Sequence, residues 1–178
     1  MKHHSQAAEF QVEKWLNTEQ PLSLASLKGK VVVVAAFQML CPGCVEHCLP
    51  QAKRLRELFS QDDVAVLGLH TVFEHHEAMS EVSLRAFLYE YRIQFPVAID
   101  MPSENSPTPK TMETYQMQGT PTLLLVDAQG NLRRQYFGRL PDMQVGAEVM
   151  ALVLQKSSTV GDNIETKNAE VCKLDGFL

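Results

Sequence analysis

The sequence predicts a single α/β domain in which a central mixed β-sheet is flanked by helices. Two buried strands joined by a helical segment, and a later strand–turn–strand hairpin, lead to this prediction. At 178 residues the chain is long enough to bury a core without disulfide support. Its composition, with 45% hydrophobic and 21% charged residues, is typical of a globular protein.

The charge and hydropathy of the chain exclude several classes of partner. A net charge of −5 and a pI of about 5.7 argue against a nucleic-acid partner or an anionic membrane surface, both of which favour a basic face. No apolar run reaches the roughly 18 residues of a transmembrane segment. The first ten residues lack the apolar stretch of a secretory signal, which predicts a cytoplasmic location, or a periplasmic one if a signal peptide has been removed.

The first strong element is Val31–Phe37, which is apolar on both alternating faces and therefore predicts a central strand covered on two sides. Before it, residues 10–16 are weakly extended or helical, and residues 21–27 predict a short strand followed by a turn. Residues 41–59 follow with apolar positions at helical spacing. Pro50 lies inside this pattern, and we expect it to bend the helix because it lacks an amide donor.

Residues 62–69 predict a second buried strand, which completes a parallel βαβ unit. The carboxyl ends of the two strands then lie side by side. A loop that begins at His70 and contains Glu74, His75 and His76 is therefore expected at the same sheet edge as Cys41.

The rest of the chain supplies the remaining layers of the domain. We expect a short strand over residues 95–100 to lie at the sheet margin because it contains Pro96. The other predicted elements are a helix at 80–91, a loop at 101–109, a short helix at 112–117, a hairpin with strands at 123–127 and 132–137, and a helix from 141–142 to about 154. The predicted domain is 1–155, with its core at 22–154, followed by a polar tail at 156–178.

Cysteine placement points to redox chemistry. Three of the four cysteines lie within eight residues, so they do not resemble the dispersed disulfide framework of a small secreted domain. Cys41-Pro42-Gly43-Cys44 begins a helical pattern directly after a buried strand. Amide donors and the helix dipole at such a position favour a thiolate, which is the reactive form.

Two motifs at matching topological positions resemble those of the thioredoxin superfamily. These motifs are the Cys41–Cys44 pair at a helix start and Gly119-Thr120-Pro121-Thr122 before a hairpin. The helix and short strand between them resemble the insert of TlpA/ResA-type thiol-disulfide oxidoreductases and of the related AhpC/TSA redoxins. The resemblance covers roughly residues 22–154 and implies a thioredoxin-like fold, with the insert between the βαβ unit and the hairpin.

This resemblance also implies roles for individual residues. Cys41 would attack a disulfide and Cys44 would resolve the mixed disulfide. Pro121 would be cis and pack against the pair, while Thr120 would present its backbone to an incoming peptide. Pro42 and Gly43 would contact substrate and, being uncharged, would leave the redox potential intermediate. The implied partners are protein or small-molecule thiols and disulfides and an electron donor that the sequence does not identify. No cofactor is implied besides the redox-active Cys41–Cys44 pair.

The chain departs from thioredoxins around this pair. Ala35 stands where thioredoxins carry a buried carboxylate that accepts a proton, and Leu40 stands where they carry tryptophan. The candidates for a replacement base are Glu46, His47 and His70. Each of them is alternatively an ordinary surface residue.

Cys48 lies four residues after Cys44 on the same predicted helix face. It is either a small core residue or a third thiol that exchanges with Cys44. A further alternative is a soft metal site formed by Cys41, Cys44, Cys48 and His70, as in copper-handling relatives of this fold. Cys172, in the predicted tail, is either a spectator thiol or a distant resolving thiol.

Three functions therefore remain open at this point. Thiol-disulfide exchange is the leading hypothesis. A thiol peroxidase would use the same cysteines, but Val34 and Gln38 replace the proline and the hydroxyl residue of the peroxiredoxin motif. The third alternative is metal handling, with copper as the expected ion.

Overall fold

The computed structural model describes residues 5–171, and within them six strands form one mixed sheet. The strand order across the sheet is β1-β4-β3-β2-β5-β6. The strands are β1 (Val12–Leu16), β2 (Val31–Phe37), β3 (Val64–His70), β4 (Val97–Asp100), β5 (Thr122–Val126) and β6 (Leu132–Phe137). The helices are α1 (Leu49–Leu58), preceded by a π turn (Cys44–Cys48), and α2 (Glu81–Glu90), α3 (Lys110–Thr114) and α4 (Asp142–Val171).

The central strands β2, β3 and β4 are parallel, and their carboxyl ends meet at one edge of the sheet. Phe37, the last residue of β2, is in register with His70, the last residue of β3. The hairpin of β5 and β6 continues the sheet from β2 in the antiparallel sense. The predicted mixed sheet with flanking helices is confirmed, and the loops after Phe37 and His70 leave the sheet at this same edge.

Alternation along β2 divides the interior into two cores. Val31, Val33, Ala35 and Phe37 face the layer of α1, α2 and α4, whereas Val32, Val34 and Ala36 face α3 and the N-terminal segment. Every side chain of β2 is buried, which explains its uninterrupted apolar sequence. Each buried valine contributes roughly 1.5–3 kcal/mol of transfer free energy, so β2 anchors both layers.

Two helix starts are capped by side chains. The Ser80 hydroxyl accepts a hydrogen bond from the Ser83 amide at the start of α2. Asp100, for which the sequence suggested no role, accepts hydrogen bonds from the amides of Thr111 (2.8 Å) and Met112 (3.0 Å) at the start of α3. Its carboxylate therefore ties β4 to α3.

β4 is not at the sheet margin, contrary to the sequence prediction. β1 pairs with its outer side, so β1 is the edge strand. Pro96 lies one residue before β4, and its carbonyl accepts a hydrogen bond from the Gly68 amide at 2.9 Å. The missing N–H of the proline thus falls outside the ladder and does not prevent β4 from pairing on both sides.

Two further segments differ from expectation. The strand predicted within residues 21–27 is a series of turns, in which Ser23 and Ser26 bond to each other's backbone amides through their hydroxyls. Helix α4 continues to Val171, beyond the predicted end near residue 154. None of the helices in the described part of the chain is both long and apolar enough to cross a membrane.

Candidate active site

A π turn carries the second and third cysteines into α1. The Leu49 amide donates to the Cys44 carbonyl, five residues back, and Pro50 occupies the first turn of α1. Proline cannot donate to the carbonyl four residues earlier, and a widened turn precedes it. The single bent helix predicted for residues 41–59 is therefore a π turn followed by α1.

The two cysteines of the motif differ in accessibility. Cys41 is partly exposed, and its thiol donates to the Thr120 carbonyl at 3.5 Å. Its carbonyl accepts from the amides of Cys44 (3.0 Å) and Val45 (3.1 Å), which closes the loop around Pro42 and Gly43. Cys44 is fully buried. A partner molecule can therefore reach the sulfur of Cys41 but not that of Cys44.

The environment of Cys44 favours its protonated form. Burial is the main cause that raises the pKa of this thiol well above its ordinary value, and the neighbouring Cys41 thiol raises it further. The backbone of Gln38 and the side chain of Thr120 act in the opposite direction and lower the pKa in part. Cys44 is thus a thiol whose proton must leave before it can attack.

The Thr120–Pro121 peptide bond is cis, and Pro121 lies against the Cys41–Cys44 loop. A Cβ atom on Gly43 would come within 3.3 Å of Pro121 Cδ, so glycine permits this close approach. The Pro121 carbonyl accepts from the Gly138 amide at 2.8 Å. The aromatic ring of Phe137 packs against Gly119 on the other side of the loop.

The three candidate bases lie in different environments. Glu46 is exposed and His47 is partly exposed on the π turn, with His47 Nε2 and Glu46 Oε2 3.8 Å apart. His70 is not a surface residue, because only 1% of it is exposed and its ring packs 5.2 Å from that of Phe37. Burial lowers the pKa of His70 to about 4, so it is neutral at physiological pH. Its Nε2 has no hydrogen-bond partner among the described residues.

Sequence reasoning missed one residue of the site, Gln38. Its side chain is almost fully buried and lies three positions before Cys41. The side-chain oxygen accepts from the Phe73 amide at 3.3 Å, and the side-chain nitrogen donates to Glu74 at 3.3 Å. Gln38 therefore connects the cysteine loop to the loop after β3. The available signal was a polar residue directly after an apolar central strand.

The structure does not assemble the predicted metal site. Within the described residues no group of three or more Cys, His, Asp or Glu side chains is arranged to hold a metal ion. Cys48 is 7% exposed, and burial together with the nearby Cys41 raises its pKa to about 12. His75 and His76 are exposed. Cys172 lies outside the described residues.

The fold and the site together define a thioredoxin-like protein, with a Cys-x-x-C pair facing a cis-proline at the active edge of the sheet. The profile of the AhpC/TSA family matches residues 4–135. The chain therefore belongs to the AhpC/TSA family.

Solved structures support the same assignment across most of the chain. A thioredoxin-like superfamily protein is 54% identical, with a TM-score of 0.82 over 84% of this chain and 96% of that one. A thiol-disulfide isomerase from Corynebacterium glutamicum is 42% identical, with a TM-score of 0.82 over 86% of this chain and 98% of that one.

Curated relatives are more distant and longer. The NHL repeat-containing protein 2 of Bos taurus is 29% identical over 121 residues, which cover 67% of this chain but only 16% of that protein. The thiol-disulfide oxidoreductase ResA of Bacillus cereus is 26% identical over 66% of this chain and 60% of that protein. The matched region thus spans a small part of the first relative and somewhat under two thirds of the second.

Proposed function

We propose that the protein is a thiol-disulfide oxidoreductase that exchanges its Cys41–Cys44 dithiol and disulfide with partner molecules. The observation that carries this proposal is the asymmetric pair, in which an accessible Cys41 lies beside a buried Cys44 and donates to the Thr120 carbonyl. The similarity to a protein named thiol-disulfide isomerase and to ResA supports it.

In the first step the Cys41 thiolate attacks one sulfur of a substrate disulfide. A bond forms between Cys41 Sγ and that sulfur, the substrate S–S bond breaks, and the other substrate sulfur leaves as a thiolate that takes up a proton. The Cys41 amide and thiol are both fixed by neighbouring backbone, through Gln38 and Thr120 respectively. The nucleophile is therefore held at the mouth of the site before substrate arrives.

In the second step Cys44 loses its proton and attacks Cys41 Sγ. The Cys41–substrate bond breaks, the second substrate sulfur leaves as a thiol, and the protein retains the Cys41–Cys44 disulfide. Two electrons pass from the protein to the substrate, and the two protein thiol protons end on the two substrate thiols. Burial keeps Cys44 protonated before the mixed disulfide forms. The second step therefore begins once the mixed disulfide is present and the Cys44 proton has been removed.

The surroundings of the site favour a protein substrate. Leu40, Phe137 and Met143 are exposed apolar residues, and each belongs to a segment that borders the site. Leu40 precedes Cys41, Phe137 packs on Gly119, and Met143 lines the cavity beside Pro121. Apolar residues around a reactive sulfur can hold the segment that carries the substrate disulfide.

Single-cysteine variants test the proposal. Cys41→Ser is expected to abolish reduction of a model disulfide, whereas Cys44→Ser is expected to accumulate a covalent Cys41–substrate adduct visible by intact-protein mass spectrometry. Cys48→Ser is the matched control and is expected to behave like the unmodified protein. Activity that survives Cys41→Ser would contradict the proposal.

A peroxidase would use the same sulfur but needs different neighbours. Val34 is a buried β2 residue, and the Gln38 side chain is committed to Phe73 and Glu74, so neither supplies a hydroxyl beside Cys41. Thiol-disulfide exchange is therefore favoured over peroxide reduction. Rapid peroxide consumption by the reduced protein, in competition with disulfide reduction, would reverse this order.

A further inference from the structure

A cavity of about 270 Å³ is lined in part by Pro121. The π turn and α1 form one wall, and the segment that connects β6 to α4 forms the other. Cys48, Leu123 and Leu140 supply its apolar surface, while His47, Arg54 and Arg139 bring positive or titratable groups to it.

Hydrogen bonds hold the two walls together. Gln51, which is almost fully buried, donates to the Leu140 carbonyl at 3.0 Å and to Asp142 at 2.8 Å. Arg54 Nε lies 2.8 Å from Asp142 Oδ2. The hydrogen bonds of Gln51 and Arg54, in that order, and then the charges of Arg54 and Arg139 lower the pKa of Asp142, so its carboxylate is charged and already bonded. One acid at the cavity thus faces two arginines, and Arg54 is the one that forms a salt bridge with it.

Arg139 gives the residues that line the cavity a net positive charge. It is exposed on the connecting segment, and among residues 5–156 it forms no ion pair. His47 Nε2 lies 3.8 Å from Glu46 Oε2 on the same π turn. An exposed positive group thus lines a partly apolar cavity in a protein whose net charge is −5.

We propose that this cavity selects substrates that carry a carboxylate close to the reacting cysteine, as in an acidic peptide segment. The proposal rests on the proposed thiol-disulfide exchange at Cys41 and specifies its substrate class. The peptide would lie along Thr120, with its acidic side chain directed to Arg139 and its aliphatic part against Leu123 and Leu140. A guanidinium binds a carboxylate through paired N–H donors, which gives direction as well as attraction.

Matched peptides test this specificity. Three peptides of one sequence carry a single cysteine in a mixed disulfide with a neutral thiol, and the residue beside it is Glu, Gln or Lys. The reduced protein is expected to react with the Glu peptide about fivefold faster than with the Gln peptide, and more slowly still with the Lys peptide. The differences should shrink at high salt, because the contact is partly exposed.

Charge reversal at Arg139 assigns the effect to this cavity. Arg139→Glu is expected to invert the order of the peptides, while Lys28→Glu, an equal change in charge before the amino end of β2, should preserve it. Equal rates for all three peptides would overturn the proposal. A Glu preference that persists in Arg139→Glu would also overturn it.

Uncharged 2,2′-dithiodipyridine separates this inference from the proposed function. Its reaction with Cys41 is expected to proceed at the same rate in the unmodified protein and in Lys28→Glu. If this probe reacts equally well with Cys41→Ser, the proposed exchange chemistry itself fails. If it requires Cys41 while the peptides show no charge preference, only the substrate class is wrong.

Discussion

Cys44 and Cys48 stand at the two ends of the same π turn, and both are buried. Cys44 lies among Cys41, the Gln38 backbone and the Thr120 side chain, all of which act on its sulfur. The pKa of Cys48 is raised by burial and by the charge of Cys41. Cys48 also borders the cavity beside Pro121. Burial is the main cause that raises the pKa of both thiols, so it does not distinguish a resolving thiol from a core residue. The partners of Cys44 make that distinction.

The largest expected difference between the two thiols is in turnover. Cys44→Ala is expected to lower multiple-turnover reduction of a protein disulfide by about 100-fold or more, because the mixed disulfide at Cys41 is no longer resolved internally. Cys48→Ala should remain within about threefold of the unmodified protein, since it leaves both reacting sulfurs in place. Insulin reduction with dithiothreitol as electron donor measures both. A comparable loss in Cys48→Ala would mean that a third thiol takes part.

His70 is a third buried titratable group, and it affects the stability of the protein at acid pH. Its Nε2 has no hydrogen-bond partner among the described residues. Its pKa is about 4 in the folded protein against 6.5 as the ordinary value, so the unfolded chain binds a proton first as pH falls. The free energy of unfolding should therefore drop by up to about 3 kcal/mol between pH 6.5 and 4 on account of this residue. Urea denaturation of His70→Gln should show a smaller drop than the unmodified protein.

Exposed His76 provides the control for that experiment. His76→Gln is expected to retain the full acid sensitivity, since this side chain is in solvent. If His70→Gln and His76→Gln lose stability equally on acidification, a group in the folded protein stabilises the protonated His70 ring. The pKa of His70 would then not be lowered by folding.

Alkaline unfolding tests the burial of Cys48. Its pKa is about 12 in the folded protein and 9.0 as the ordinary value, so above pH 9 the unfolded chain releases a proton that the folded chain keeps. Stability therefore falls as pH rises, by about 1.4 kcal/mol per pH unit for this thiol. In reducing buffer, Cys48→Ala should remove that contribution from the slope of unfolding free energy against pH. An unchanged slope would indicate that Cys48 is already ionised in the folded state.

The smallest expected effect concerns the Thr120 hydroxyl. Thr120→Val removes a group that lowers the pKa of Cys44, so less Cys44 thiolate forms and resolution should slow by about threefold. The decay of a preformed Cys41 mixed disulfide, followed by stopped flow, measures this step. Thr114→Val, a similar change at an exposed position, should leave the rate unchanged. No difference between the two variants would show that Thr120 acts through its backbone alone.

The sequence was most informative where physical signals were strong. The unbroken apolar run of β2 predicted a central strand, and the resemblance of the Cys41–Cys44 and Thr120-Pro121 motifs to those of the thioredoxin superfamily indicated which segments form the site. The hairpin of β5 and β6 and the helix that begins near residue 80 were also predicted. The roles of the site residues stay predictions until the variants above are measured.

Other features depend on contacts between distant parts of the chain. The apolar residues of β1 do not alternate regularly, so the sequence did not reveal its pairing with β4. Pro96 then led to the wrong prediction that β4 lies at the sheet margin. The burial of His70 follows from its register with Phe37, which no local pattern reveals. The π turn differs from an α-helix by one hydrogen-bond step before Pro50, a difference that hydrophobic spacing does not resolve.

The two edge strands of the described sheet, β1 and β6, carry exposed charged and polar side chains, which disfavour pairing with a strand of another molecule. β1 exposes Glu13 and Lys14, and β6 exposes Arg134 and Gln135. A strand from another molecule that added to either edge would have to strip water from these groups. The polar side chains on both edges thus disfavour the addition of a strand from another molecule to the sheet.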